Sequence, residues 1–138
     1  MMTPRSLITV VDNDKLVRNA IRRLLQSLGF AVAAYASAEA YLQSGLIAQT
    51  ACLILDVRMT DMTGLELQGF LAANGLRTPI VFVSTSANAT TRAQALQAGA
   101  VDFLHKPATD TALLNAISAA LRRNECCEGK NPACAGAA

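Results

Sequence analysis

Short apolar blocks alternate along the chain with longer amphipathic segments. The short blocks are apolar almost without interruption, as in strands covered on both faces of a parallel sheet. They predict strands over residues 7–11, 30–35, 51–55, 80–83 and 101–104. The longer segments carry apolar residues at helical spacing. They predict helices over residues 15–28, around 40–42, and over 64–73, 90–98 and 110–123.

The predicted order is strand then helix, five times over. This alternation favours a parallel sheet with helices on both faces. Right-handed crossovers limit the possible topologies, and for five strands we expect the flavodoxin-like strand order 2-1-3-4-5. One α/β domain would therefore cover residues 1–123. Residues 124–138, rich in Gly, Ala and Cys, are expected to form a disordered tail.

Composition narrows the functional classes. The net charge is only +2 and the basic residues are scattered, so nucleic-acid binding has no electrostatic footprint. No apolar run approaches the about 20 residues of a membrane span, and the N-terminus lacks the apolar region of a signal peptide. We therefore expect a cytoplasmic protein without a membrane partner. The first strand is followed by no glycine, which weakens a nucleotide-binding interpretation.

The four cysteines give little indication of chemistry. Cys52 lies in an apolar strand, where a free thiol behaves as a small hydrophobe. Cys126, Cys127 and Cys134 lie in the tail with a spacing that matches no common zinc pattern, and His105 is distant in sequence. The simplest interpretation is an exposed, reducible tail, and the role of its three cysteines stays open.

Polar residues follow four of the predicted strands: Asp12-Asn13, Asp56, Ser84 and Lys106. The carboxyl ends of parallel strands share one edge, where ligands bind in open α/β sheets. Carboxylate and carbonyl oxygens suit Mg²⁺, whereas a lysine and a hydroxyl suit the oxygens of a transferred phosphoryl group. An Asp carboxylate can itself be the nucleophile. Each residue alone has an ordinary interpretation as a turn cap or surface charge, but their combination favours a site.

Several motifs together resemble the receiver domain of two-component response regulators. The resemblance covers roughly Leu7 to Arg123, and it is most similar to the branch that regulates nitrogen fixation and related transcription. The matching motifs are Val-Val-Asp-Asn-Asp at 10–14, Leu-Asp-Val-Arg-Met at 55–59, Asp-Met-Thr-Gly at 61–64, Ala-Gly-Ala-Val-Asp-Phe at 98–103 and Lys106-Pro107.

The resemblance implies a phosphorylation site and a metal site. Asp56 would accept a phosphoryl group from the phosphohistidine of a sensor histidine kinase. Asp12, Asn13, Asp56 and the backbone carbonyl of Arg58 would hold Mg²⁺. The family usually has an acid where this chain has Asn13, so the site loses one negative charge and Mg²⁺ binding should be weak. Asp14 could compensate through water, although we expect it to cap the first helix.

The resemblance also implies a switch. Ser84 would donate a hydrogen bond to a phosphoryl oxygen, and Lys106 would pair with the phosphoryl group before a cis peptide at Pro107. Phe103 would be an aromatic switch on the face formed by the fourth helix, fifth strand and fifth helix; a plain core aromatic is an equally good interpretation. Thr60 stands where the family usually has proline, and its presence should modestly loosen the turn that follows Asp56.

Two functions of different classes remain. The leading hypothesis is a single-domain response regulator in two-component signal transduction, a phosphoprotein switched at Asp56. It would act through a downstream protein or a homodimer on the switch face, and have no enzymatic activity beyond its own phosphorylation and dephosphorylation. The alternative is a degenerate receiver that binds partners independently of phosphorylation. A weaker third possibility is a small-molecule binder that uses the same crevice.

Overall fold

Five parallel strands form one sheet, and their hydrogen-bonded order confirms the predicted topology 2-1-3-4-5. The computed structural model describes residues 7–59, 62–85 and 88–125. The strands are β1 Leu7–Val11, β2 Ala31–Tyr35, β3 Cys52–Leu55, β4 Ile80–Ser84 and β5 Asp102–His105. The helices are α1 Lys15–Ser27, α2 Ala38–Leu42, α3 Gly64–Ala73, α4 Ala89–Gln97 and α5 Asp110–Glu125.

Side-chain caps fix where four of the helices begin. Asp14 accepts hydrogen bonds from the main-chain N–H groups of the first turn of α1, as its position predicts. Ser37 and Asn88 cap α2 and α4 in the same way. Thr63 and Glu66 form a reciprocal capping box at the start of α3. These caps satisfy N–H groups that a helix cannot satisfy internally.

The core has one half on each face of the sheet. Successive strand residues point to opposite faces, so each strand contributes to both halves. On one face α2, α3 and α4 pack on the sheet, through buried residues that include Tyr41, Leu67, Phe82 and Ala95. On the other, α1 and α5 cover a second set that includes Leu25, Cys52, Val81 and Ile117. Burial raises the pKa of Cys52 to about 12, so this thiol is an inert core residue at neutral pH.

A few predicted boundaries shift by one or two residues. Strand β5 is Asp102–His105 and not residues 101–104, because its hydrogen-bonded register with β4 pairs Val81 with Asp102. Helix α5 runs to Glu125, so the first two residues of the predicted tail are helical. The remainder of that tail lies outside the described residues, as do its three cysteines and Thr60.

The part of the chain that the structure describes contains no helix that could cross a membrane. None of the helices there combines the length and the apolar character that a membrane span needs.

Candidate functional site

The carboxyl ends of β1, β3, β4 and β5 bring four of the predicted site residues to one edge of the sheet. Asp12 and Asp56 directly follow β1 and β3, Ser84 ends β4, and Lys106 directly follows β5. Asp12, Asp56 and Ser84 are buried, at 3%, 6% and 1% exposure. Buried carboxylates require a counter-charge or hydrogen bonds, since desolvation of a charge is costly.

Lys106 supplies the counter-charge. Its ammonium group lies 2.7 Å from Asp12 Oδ2 and 3.6 Å from Asp56 Oδ2, so it bridges the two carboxylates and is closer to Asp12. The main-chain N–H of Lys106 donates to the carbonyl of Ser84 at 2.9 Å and extends the β4–β5 ladder into the site. The peptide between Lys106 and Pro107 is cis, as the sequence motif implies.

The local environment raises the pKa of Asp56 above its usual value of 3.8. Burial is the largest cause, and the neighbouring Asp12 charge adds to it. Lys106 and the main-chain N–H of Arg58, at 3.4 Å from Asp56 Oδ1, act in the opposite direction. Asp56 is thus a carboxylate whose negative charge is poorly compensated.

Asp12 is held at several atoms. Its Oδ1 accepts the main-chain N–H of Asp14 at 2.8 Å, and its own N–H donates to the carbonyl of Tyr35 at 3.1 Å. The guanidinium of Arg18, on α1, donates to the Asp12 carbonyl at 2.8 Å. Helical spacing gives no signal for this contact, because the acceptor is a main-chain atom of the loop that precedes the helix.

Asn13 is exposed, and so is Arg58, whose predicted metal ligand is its main-chain carbonyl and not its side chain. The two carboxylates of Asp12 and Asp56 remain as the buried anionic oxygens. The described residues contain no group of three or more His, Cys, Asp or Glu side chains that could hold a metal. Two carboxylates fit Mg²⁺, which commonly binds one or two of them and keeps several waters. The neutral side chain of Asn13 adds no further negative charge to this site.

Gly64 packs directly against the backbone of Asp56. Its N–H donates to the carbonyl of Val57 at 2.8 Å, which closes the β3–α3 loop. A Cβ at this position would collide with the carbonyl oxygen of Asp56 and lie 3.0 Å from Phe82 Cε1. Gly64 belongs to the Asp-Met-Thr-Gly motif, which is the sequence signal for it, although the motif does not reveal the contact.

Phe103 lies in the core. It is 2% exposed, and its ring stacks on Phe82 with centroids 5.7 Å apart and planes at 28°. The guanidinium of Arg92, on α4, reaches the carbonyl of Phe103 at 3.4 Å. The structure therefore supports the core interpretation of this aromatic, and its role as a switch stays a prediction.

An apolar groove opens beside Lys106, between α1 and α5. Its lining includes Val17, Leu24, Leu113 and Pro107. Leu16, at the start of α1, is 80% exposed although it is apolar.

The family comparison agrees with this geometry. The family model described as the response regulator receiver domain matches residues 8–118. The chain belongs to this family. Its sheet order and helices match the CheY-like flavodoxin fold of solved receiver domains. The chain is therefore a response regulator receiver domain of two-component signalling.

The relatives include the regulators that the motifs indicated. The receiver domain is 40% identical to the transcriptional regulatory protein TdiR of Thauera aromatica over 119 residues, 86% of this chain and 52% of that protein. It is 37% identical to the transcriptional regulatory protein FixJ of Azorhizobium caulinodans over 122 residues, 88% of this chain and 58% of that protein. The chain thus spans about half the length of the curated relatives it matches.

Solved structures give the same result. The response regulator StyR matches with a TM-score of 0.82 and 39% identity, over 88% of this chain and 62% of that one. The structure described as FixJ-N matches with a TM-score of 0.77 and 32% identity, over 88% and 96%. Receiver domains are in general non-enzymatic signalling modules that bind Mg²⁺ at an acidic pocket and interact with histidine kinases and downstream targets.

Proposed function

We propose that Asp56 accepts a phosphoryl group from the phosphohistidine of a sensor histidine kinase. The observation that carries this proposal is the buried carboxylate of Asp56 beside Lys106, at the carboxyl edge of the sheet. One carboxylate oxygen attacks phosphorus, the new P–O bond forms, and the P–N bond breaks. The electron pair of that bond returns to the imidazole nitrogen, which takes up a proton from water.

Lys106 and Ser84 would hold the transferred group. The ammonium of Lys106 is already 3.6 Å from Asp56 Oδ2, so a short movement would bring it to a phosphoryl oxygen. Ser84 lies at the end of the next strand, and its hydroxyl would donate to another oxygen. Hydrogen-bond donors in fixed positions stabilise the charge of a phosphoryl group at low cost in reorganisation.

Mg²⁺ would neutralise charge on the phosphoryl oxygens. Asp12, Asn13, Asp56 and the carbonyl of Arg58 would hold it, with water completing the coordination. Asn13 offers a neutral carbonyl oxygen where a carboxylate would bind more strongly. We therefore infer weak Mg²⁺ binding in the unphosphorylated domain.

The output would be a change in partner binding. Phosphorylation would favour one of two existing conformations, through Ser84 and Phe103. The affected face is formed by α4, β5 and α5, and its partner would be a downstream protein or a second copy of the domain. We place this signalling in the cytoplasm, where a histidine kinase donates its phosphoryl group. The expectation that the domain acts alone stays a prediction.

One observation favours the alternative, a receiver that binds partners without phosphorylation. Lys106 is closer to Asp12 than to Asp56 and already neutralises charge at the site. Asn13 adds no negative charge that would attract Mg²⁺ in place of the Lys106 ammonium. A domain whose two carboxylates stay paired with Lys106 would stay in one conformation. Its partner binding would not respond to Asp56→Asn.

The test is phosphorylation by acetyl phosphate in Mg²⁺ or in EDTA, read by intact mass and peptide mapping. We expect one added phosphoryl group at Asp56, dependent on Mg²⁺ and absent in Asp56→Asn. Asp110→Asn, an acid-to-amide change at an exposed position, is the matched control and should label like the wild type. Labelling that survives Asp56→Asn would refute the assignment. Labelling only after Asn13→Asp would favour the phosphorylation-independent module.

A further inference from the structure

Asp12 is the second buried carboxylate of the site, and its orientation depends on contacts outside its own side chain. Its carboxylate is shared between the N–H of Asp14 at 2.8 Å and the ammonium of Lys106 at 2.7 Å. Its carbonyl accepts the Arg18 guanidinium at 2.8 Å. The carbonyl belongs to the peptide plane between Asp12 and Asn13, so a bond that fixes this plane also limits how the carboxylate can turn.

The position of Arg18 is not explained by the stability of its helix. The first turns of α1 carry Lys15 and Arg18, and the first turn contains no acidic residue. The positive end of the helix dipole disfavours cations there. Arg18 is half-buried, whereas Arg23 on the same helix is exposed. A half-buried cation in this place indicates that its contact with the loop outweighs the unfavourable dipole.

We propose that Arg18 is a positioning residue, which holds the Asp12 carboxylate in line with Lys106 and Asp56 through the Asp12 carbonyl. The inference rests on the proposed phosphoryl-acceptor function of Asp56. Because Asn13 is neutral and exposed, Asp12 and Asp56 carry the buried negative charge of the site. Misorientation of Asp12 therefore removes a large part of the ligand set for Mg²⁺.

Charge and positioning make opposite predictions for the loss of Arg18. Removal of a nearby positive charge would by itself strengthen Mg²⁺ binding. Loss of positioning would weaken it, since groups that orient metal ligands typically change metal affinity by about 10- to 100-fold. The sign of the change in Mg²⁺ affinity therefore separates the two effects.

The experiment compares Arg18→Met with Arg23→Met. Methionine keeps an apolar stem but removes the charge and the donors, and both variants lose one charge from the same helix. The first measurement is Mg²⁺ affinity, from amide chemical shifts in an NMR titration. The second is hydrogen exchange of the Asp14 amide in EDTA, which reports the Asp12 carboxylate without any metal. We expect Arg18→Met to weaken Mg²⁺ binding about 10-fold or more and to speed exchange at Asp14, and Arg23→Met to change neither.

Three results would overturn the proposal. They are an Mg²⁺ affinity in Arg18→Met that is unchanged or higher, an Asp14 amide that exchanges as in the wild type, and a uniform acceleration along α1 without a specific effect at Asp14. If the wild type neither binds Mg²⁺ nor accepts a phosphoryl group, the proposed function fails. The exchange rate of Asp14 in EDTA then still decides whether Arg18 positions Asp12.

Discussion

Gly64→Ala should damage both the fold and the acceptor site, whereas Gly69→Ala in the same helix should not. Gly64 is the first residue of α3, and its Cα faces the backbone of Asp56. Gly69 is exposed in the same helix, and a Cβ there would meet nothing within 4 Å. The pair therefore compares the same chemical change with and without a collision.

The geometry gives the size of the effect. The new Cβ of Gly64→Ala would lie 3.1 Å from the carbonyl carbon of Asp56 and closer still to its oxygen, inside the limit that real Cβ atoms observe. The Asp56 peptide or α3 must retreat by about 1 Å to restore ordinary contact. Overpacking of this kind costs about 1–3 kcal/mol. Gly69→Ala should gain up to about 1 kcal/mol from helix propensity, so the two variants should differ by about 1–4 kcal/mol.

The assay is urea unfolding of the two variants and the wild type, followed by the initial rate of labelling with acetyl phosphate. A displacement of about 1 Å at a reacting group can lower a rate about 100-fold. We expect that order of loss for Gly64→Ala and no loss for Gly69→Ala. If Gly64→Ala unfolds at the same urea concentration as Gly69→Ala and labels at the wild-type rate, the argument from backbone contact is wrong.

Three further predictions concern buried polar groups. In EDTA, Asp56→Asn should raise the Tm at neutral pH. The pKa of Asp56 is raised in the folded state, so protonation of this carboxyl stabilises the fold. That stabilisation is fully present below about 3.8 and is lost as the pH rises through the folded pKa. The Tm gain of Asp56→Asn should therefore shrink on acidification, and a gain that did not shrink would contradict this. Lys106→Met should cost about 3 kcal/mol in urea unfolding, because two buried carboxylates lose their counter-charge, and adding Asp12→Asn should recover part of the loss. Thr50→Val should cost about 1–3 kcal/mol, because Thr50 Oγ1 accepts the hydroxyl of Tyr41 at 3.0 Å and that buried donor would lose its partner. Tyr41→Phe in the same background should then add little, and additive losses would argue against the shared hydrogen bond.

Local pattern was sufficient where the ends of an element are marked by nearby residues. The predicted bounds of β1 and α3 agree with the structure. Strand β1 ends at a run of short polar side chains, and helix α3 begins directly after its cap at Thr63. Strand β5 was shifted by one residue, because its limits depend on hydrogen bonds with β4, which the apolar run of residues 101–104 cannot reveal. The order of the sheet followed from the five-fold alternation and the handedness of crossovers.

The sequence by itself determined which residues would stand at the ends of the strands, because strand limits follow from local patterns and parallel strands share one carboxyl edge. Only the tertiary structure decided how those residues pair. Lys106 lies nearer to Asp12 than to Asp56, and Arg18 binds a main-chain carbonyl rather than solvent. The first choice depends on a difference of about one ångström between residues that are far apart in sequence. Both depend on burial, which makes each unpaired charge costly. Residue type and spacing carry neither quantity, so they could predict the site but not its internal contacts.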